Sequence, residues 1–332
     1  MEWEKSSLRE ALGKTLVELG SEVPNMLILN ADLRNSVKTV YFMREYPERT
    51  IEVGIAEQNM IGVAAGLAMM GFIPFAVTFA RFASKRAADQ ISMSVDYCRN
   101  NVKIIGAYAG IFTGRQGVSQ QMIDDTAAMR AMPNMTVIET ADVHEIRAVL
   151  HFAVEHVGPL YIRVGRDEWP VVFDETYEFH FGKGTWLREG GDVVLMNSGI
   201  LLPYAIEAAE MLKQEGIDAG VINMPTIKPI DVELINDVAR NVGAIVTVEN
   251  HNILGGFGGA VAEVLVENYP VPMERIGIRN EYSESAPNDE LAEKHRLTAP
   301  YIAAAAQRAF RRKQKYWPRR AWGGVAAVHS PS

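Results

Sequence analysis

Short runs of apolar residues alternate along the chain with longer segments in which apolar positions recur at helical spacing. Residues 8–19 carry the helical period, and 26–29 form a continuous apolar run of strand length. Similar runs follow at 51–55, 72–78, 102–108, 135–139 and 160–164, each succeeded by a turn or helix signal. This alternation predicts one largely parallel sheet over the first half of the chain. Between Arg166 and Asp192 the pattern gives way to a Pro-, Glu- and Gly-containing segment, from Trp169-Pro170 to Glu189-Gly190-Gly191. Beyond it, strands are expected at 193–197, 219–223, 244–248 and 275–278, helices at 204–215, 232–242 and 259–268, and closing helical structure over 288–310. The expected fold class is α/β, with two domains, each a mostly parallel sheet flanked by helices. Their expected bounds are 1–170 and 192–312, with a linker over 171–191 and a basic, disordered tail over 313–332.

A length of 332 residues, 48% apolar and 22% charged, suits two globular cores. Acidic residues outnumber basic ones by 41 to 33, a net charge of -8, which argues against nucleic acid or an anionic membrane as partner. Six Lys and Arg lie between Arg311 and Arg320, beside Tyr316 and Trp317. They fit a helix C-terminus or a solvated tail better than a nucleic-acid arm. The longest apolar stretch, 61–82, is interrupted by Gly66, Gly71, Pro74 and Arg81, so a soluble, cytoplasmic protein is expected. A single cysteine, Cys98, excludes an internal disulfide and any CxxC-type site. His151 and His156, five residues apart, fall on different helix faces, and the histidines offer no metal site. His251, just after a strand and beside Glu249 and Asn250, is the one to follow.

The most informative segment is Gly54-Ile55-Ala56-Glu57-Gln58-Asn59-Met60. It puts three polar residues in the first turn of a helix that is then apolar on all faces through Met70, the signature of a buried helix. Glu57 is thus a carboxylate at the mouth of an interior helix, and it needs a dipole, a hydrogen-bond partner or a raised pKa. Simple stabilisation of the helix N-terminus is one explanation and a functional carboxylate the other.

Together with Asn30-Ala31-Asp32-Leu33, Thr78-Phe79-Ala80-Arg81-Phe82 and Met129-Arg130-Ala131-Met132-Pro133-Asn134-Met135, this segment resembles the transketolase family of thiamine-diphosphate enzymes. The resemblance spans about residues 7–310 and is to the half of transketolase that holds the pyrimidine-binding and C-terminal domains. It implies that Glu57 is catalytic: it hydrogen-bonds a ring nitrogen of the cofactor's aminopyrimidine and favours the tautomer that takes the proton from the thiazolium C2. A carboxyl kept out of water can share a proton strongly with such a nitrogen. Phe82 would stack on the aminopyrimidine, Phe79 would line the same pocket, and Asp32 and Leu33 would approach the cofactor. Without the resemblance the two rings read as core aromatics and Asp32 as a cap. Lys85 stands where transketolases often have another aromatic residue.

The resemblance further implies that Arg9, Ser36 and Arg166 hold the phosphate tail of a sugar phosphate substrate, for which arginine forks are suited. Gln116 and Gln120 stand where the family has an acidic residue and a histidine that read the donor's hydroxyls, and Ala109 where it has a further histidine. Glutamine exchanges hydrogen bonds but takes no proton, so a different donor ranking is expected. No Gly-Asp-Gly occurs in the chain. Diphosphate and Mg2+ are therefore expected on a partner subunit that carries that motif, in an α2β2 assembly. The implied function is that of a split transketolase subunit moving a two-carbon ketol unit from a ketose phosphate to an aldehyde through a thiamine-diphosphate carbanion. The alternatives are the beta subunit of a 2-oxo acid dehydrogenase, a deoxyxylulose phosphate synthase-like enzyme, and a non-catalytic paralogue. Arg9 and Ser36 favour the first reading, and Glu57 and Phe82 disfavour the last. Gly255-Gly256-Phe257-Gly258-Gly259 lacks dinucleotide-fingerprint spacing and reads as a tight strand-to-helix entry.

Overall fold

In the computed structural model, which describes residues 3–316, the apolar runs pair into two large sheets, beside a two-stranded pair of residues 5–7 with 168–170. The strands in chain order are β1 (Lys5–Ser7), β2 (Met26–Asn30), β3 (Thr50–Glu52), β4 (Ile73–Phe79), β5 (Lys103–Ala107), β6 (Thr136–Glu139) and β7 (Leu160–Val164). They continue with β8 (Glu168–Pro170), β9 (Thr185–Arg188), β10 (Val193–Ser198), β11 (Ala219–Asn223), β12 (Thr226–Lys228), β13 (Ile245–Asn252) and β14 (Met273–Ile278). The first sheet has the order β12-β6-β7-β5-β4-β2-β3, and every neighbouring pair is parallel except β12 on β6. Every residue of β2, β5 and β7 is buried, as helices on both faces require. The helix Leu8–Glu22 contributes Leu8, Leu12, Leu16 and Leu19, spaced by four and three so that one stripe meets the sheet.

The second sheet, β14-β13-β10-β11-β9, is parallel apart from β9, which closes one edge antiparallel to β11. β9 lies within the segment expected to be a linker. Four residues are too few to display a period, and the pairing is made by packing: a Cβ on Gly190 would lie 2.1 Å from the Gly220 nitrogen, so the two backbones meet closely there. The rest of that segment is pinned by side chains. Asp142 caps the helix Val143–Glu155 with one oxygen and accepts from the Val172 and Phe173 N–H groups with the other. Glu145, fully buried, accepts from Ala141 N–H, Tyr177 Oη and Asn223 Nδ2, joining the first domain to the connecting segment and to β11. β12 crosses over to pair with β6. The closing helix Ala299–Tyr316 runs past the expected boundary, and its Lys313 donates to the Gly191 and Asp192 carbonyls. The remainder of the expected tail, 317–332, lies outside the described residues.

The helix Glu57–Met69 corrects one expectation. Met60, Ile61, Ala64 and Ala65 are buried, but Gly62 and Gly66 face outward and Ile55, Met69 and Met70 are about three-quarters exposed. Apolar residues all round it therefore serve two surfaces, one inside this chain and one outside it. Among the described residues no helix is long and apolar enough to cross a membrane.

β3 lies on one side of β2 while β4 and the strands after it lie on the other. The chain leaves β2 in opposite directions, which opens a crevice at the carboxyl ends of β2 and β4, the usual ligand position in such sheets.

Candidate functional site

Asp32 follows β2 with a left-handed φ of 57°. Its N–H donates to Glu52 Oε1 at 2.7 Å, and the Gly54 N–H donates to the same oxygen at 3.1 Å. One carboxylate thus ties the loop after β2 to the loop after β3, at the mouth of the crevice. Leu33 packs on the core behind it.

Two residues beyond Ile55 the chain turns into the helix that opens with Glu57, only 3% exposed. Its Oε1 accepts from Arg86 Nη1 at 3.0 Å. Phe79 ends β4, and the chain continues into a π-helical turn, Phe82–Arg86, a widened geometry frequent at functional sites. That turn places Arg86 above Phe82, with the guanidinium carbon 3.9 Å from the ring centroid. Phe82 also meets Phe79, at 5.4 Å between centroids. Glu57, Phe82 and Phe79 are thereby joined in one chain of contacts through Arg86. Lys85 points to the Asp124 carboxylate at 2.6 Å.

A second cluster adjoins it. Tyr108, just after β5, is 1% exposed, has a φ of 60°, and stacks on Phe79 at 4.0 Å. A bulky side chain in that backbone region is a strained feature that surrounding contacts must hold in place. Arg9 Nη1 donates to its hydroxyl at 3.2 Å, and the hydroxyl donates to the Ser36 carbonyl at 3.2 Å. The Arg166 guanidinium lies 5.4 Å from the ring centroid and pairs with Asp167. Tyr108, which no sequence pattern singled out, is the residue through which Arg9, Ser36 and Arg166 meet.

Gln116 and Gln120 are not drawn into either cluster. Gln116 ends an exposed 3-10 turn, and Gln120 accepts from its neighbour Ser119. Their loop is nonetheless held by the second domain. Asn288 Oδ1 accepts from the Gly114 N–H at 2.8 Å, Asn250 Oδ1 accepts from Ile111 N–H at 3.1 Å, and Gln121 Nε2 donates to the Glu284 carbonyl at 3.0 Å.

Beneath the loop is a charged cluster that is almost wholly buried. Arg163 on β7 is bound to Asp125 at 2.8 Å and to Glu139 at 2.5 Å, and Tyr161 Oη donates to Asp125 at 2.7 Å. Burial opposes the ionised form of Asp125, but Arg163 outweighs it and holds the carboxyl below its usual range. Burial raises Glu139 to about 7 in spite of Arg163. His251, on β13, sits 3.9 Å from both Asp125 and Glu249, and burial lowers it to about 4. Burial raises Glu249 to about 8, although it accepts from the Gly258 N–H at 3.0 Å. The glycine run explains this proximity: a Cβ on Gly256 would lie 2.0 Å from Glu249 Oε2 and one on Gly258 2.6 Å from Thr247. Among the described residues no group of three or more His, Cys, Asp or Glu could hold a metal ion.

The chain matches the transketolase pyrimidine-binding domain over residues 4–171 and the transketolase C-terminal domain over residues 182–302. It is 42% identical over 310 residues to a 6-deoxy-6-sulfo-D-fructose transketolase subunit of Clostridium sp. (strain MSTE9), covering 93% of this chain and 96% of that one. It is 37% identical over 274 residues to an apulose-4-phosphate transketolase subunit of Phocaeicola vulgatus, covering 82% and 88%. A split-gene transketolase solved as an inactive β4 tetramer superposes with a TM-score of 0.86 at 47% identity, over 93% of this chain and all of that one. The chain belongs to the transketolase family, as a subunit of the split type built from the pyrimidine-binding and C-terminal domains.

Proposed function

We propose that this subunit provides the aminopyrimidine-binding half of a transketolase site, with diphosphate and Mg2+ held by a partner subunit that carries a Gly-Asp-Gly domain. The reading rests above all on Glu57, a buried carboxylate linked through Arg86 to the rings of Phe82 and Phe79 beyond the carboxyl end of β4. A carboxylate facing aromatic surface suits an aminopyrimidine, with one hydrogen-bonding edge and two flat faces. When bound, thiamine diphosphate supplies the nucleophilic carbon that carries a two-carbon ketol unit. Glu57 would share a proton with the heterocycle, the rings of Phe79 and Phe82 would flank it, and Asp32 and Leu33 would bound the entrance.

The need for a partner is supported from outside the pocket. Gly62 and Gly66 stand on the exposed face of the Glu57–Met69 helix, where a Cβ would meet nothing within 4 Å. Glycine inside a helix costs about 1 kcal/mol relative to alanine. Among the described residues nothing requires it there, whereas a closely packed second chain would. An α2β2 assembly fits this face.

The donor is a ketose with an anionic tail, held by Arg9, Ser36 and Arg166 around Tyr108, with its hydroxyls read by Gln116 and Gln120. Two relatives bear the names of substrates with such a group, one a sulfo sugar and one a sugar phosphate. The test is co-purification with a Gly-Asp-Gly partner, then ketol transfer from phosphorylated, sulfonated and uncharged ketoses. Turnover near 1 per second by the isolated chain with thiamine diphosphate and magnesium, an ordinary enzymatic rate, would show that no partner is needed.

A further inference from the structure

The guanidinium of Arg86 occupies the two groups that the reading above assigns to the aminopyrimidine. It donates to Glu57 at 3.0 Å and lies 3.9 Å from the centroid of the Phe82 ring, which also meets Phe79. The arrangement follows from local chemistry. An interior carboxylate at a helix start needs a counter-charge, and the π-helical turn sets Arg86 over Phe82 to supply one. The two partners differ in freedom: Glu57 is 3% exposed and fixed, whereas the Arg86 side chain is 48% exposed. Arg86 can therefore swing into solvent at little cost, and Glu57 cannot leave.

We propose that Arg86 competes with the cofactor's aminopyrimidine for Glu57 and Phe82, and thereby sets how tightly the cofactor binds. The guanidinium imitates the heterocycle: it is flat, it stacks on an aromatic face, and it presents N–H to a carboxylate. Each cofactor that enters must displace it. The proposal rests on the assignment of Glu57 and Phe82 to the aminopyrimidine pocket.

The test is titration calorimetry of thiamine diphosphate into the assembled complex, with wild type, Arg86→Ala, Arg86→Lys and Glu57→Gln. A half-exposed ion pair and a stacked cation are each worth a few-fold in an equilibrium, so Arg86→Ala should bind about three- to thirtyfold more tightly. Arg86→Lys, which keeps the charge but loses the flat stack, should fall between. If Arg86→Ala does not assemble, Arg86→Gln removes the charge while keeping a planar donor, and should also tighten binding. Unchanged or weaker binding by the neutral variants, with Glu57→Gln still weakened, would overturn the competition alone. Equal binding by wild type and Glu57→Gln would overturn the pocket assignment, and the competition with it.

Discussion

Arg163→Met tests how far the buried charges hold the two domains together. Arg163 and Asp125 have no exposed side-chain surface, and Glu139 has 5%. Arg163 also donates to the carbonyls of Met122, on the loop side, and Asn250, in the second domain. Methionine keeps the apolar stem and removes the charge. Glu139, already raised to about 7, can take up a proton, but Asp125 loses the charge that offsets its burial and keeps only the Tyr161 hydroxyl and His251 beside it. Breaking a buried pair from one side costs about 3–5 kcal/mol. At roughly 2–4 °C per kcal/mol for a domain of this size, the melting temperature should fall by about 6–20 °C. Replacing both charges should be gentler, because a neutral pair carries no uncompensated charge. Arg163→Met with Asp125→Asn, which keeps an acceptor for Tyr161, should recover at least half of the loss. Thermal unfolding at pH 7 followed by circular dichroism measures all four members of the cycle. A single mutant within 2 °C of wild type, or a double mutant less stable than the single, would refute the reasoning.

Glu57→Gln in the assembled enzyme should lower turnover on the order of 100-fold with little change in folding, because an amide cannot share the proton; wild-type exchange at the cofactor C2, read by NMR, would remove Glu57 from the mechanism. Tyr108→Phe keeps the ring on Phe79 and loses the hydroxyl between Arg9 and Ser36. KM for anionic-tailed ketoses should rise about tenfold or less with kcat nearly constant, and an equal effect on uncharged ketoses would count against an anion site. Glu249, raised to about 8 by burial, binds a proton in the folded chain that the unfolded chain releases above its ordinary value of 4.5. Its contribution is therefore complete below pH 4.5 and is lost as pH rises toward 8. Glu249→Gln should flatten the decline by about 1.4 kcal/mol per pH unit across that window, and parallel curves of stability against pH would refute the assignment. Gly62→Leu should leave the melting temperature of the isolated chain within 2 °C but block assembly with the partner on a sizing column; intact assembly would free that helix face from the interface.

What was legible in the sequence has a common physical basis. Mostly apolar runs announced β2, β4, β5, β7, β10, β11 and β13, because a strand covered on both faces admits a polar residue only where a partner meets it, as Arg163 on β7 and Glu249 on β13 do. β1, β8, β9 and β12 are three or four residues long, and their pairing is decided by partners far along the chain. Glu57 was visible as a charge at the threshold of an apolar helix. Arg86 was not, since only the π-helical turn brings it over Phe82. Tyr108 meets Arg9 across 99 positions, and Asp125, Glu139, Arg163 and His251 arrive from four separate elements. Spacing within a sequence cannot disclose such meetings.

The start of the Glu57–Met69 helix turns its two sides to different tasks. Glu57 is buried within the chain, while Ile55, two residues before it, is 73% exposed, and Gly62, Gly66, Met69 and, just past the helix end, Met70 are exposed as well. A second chain covering that face seals off water only a few residues from the carboxylate. Proton sharing between a carboxylate and a heterocyclic nitrogen strengthens as the surroundings become less polar. In the proposed enzyme, covering the helix face and strengthening the Glu57 interaction are then a single event. Arg86, half in solvent, supplies the counter-charge until the aminopyrimidine replaces it. Activity is thereby coupled to assembly without any change in the sheet, because the crevice at β2 and β4 is already formed by the order of the strands.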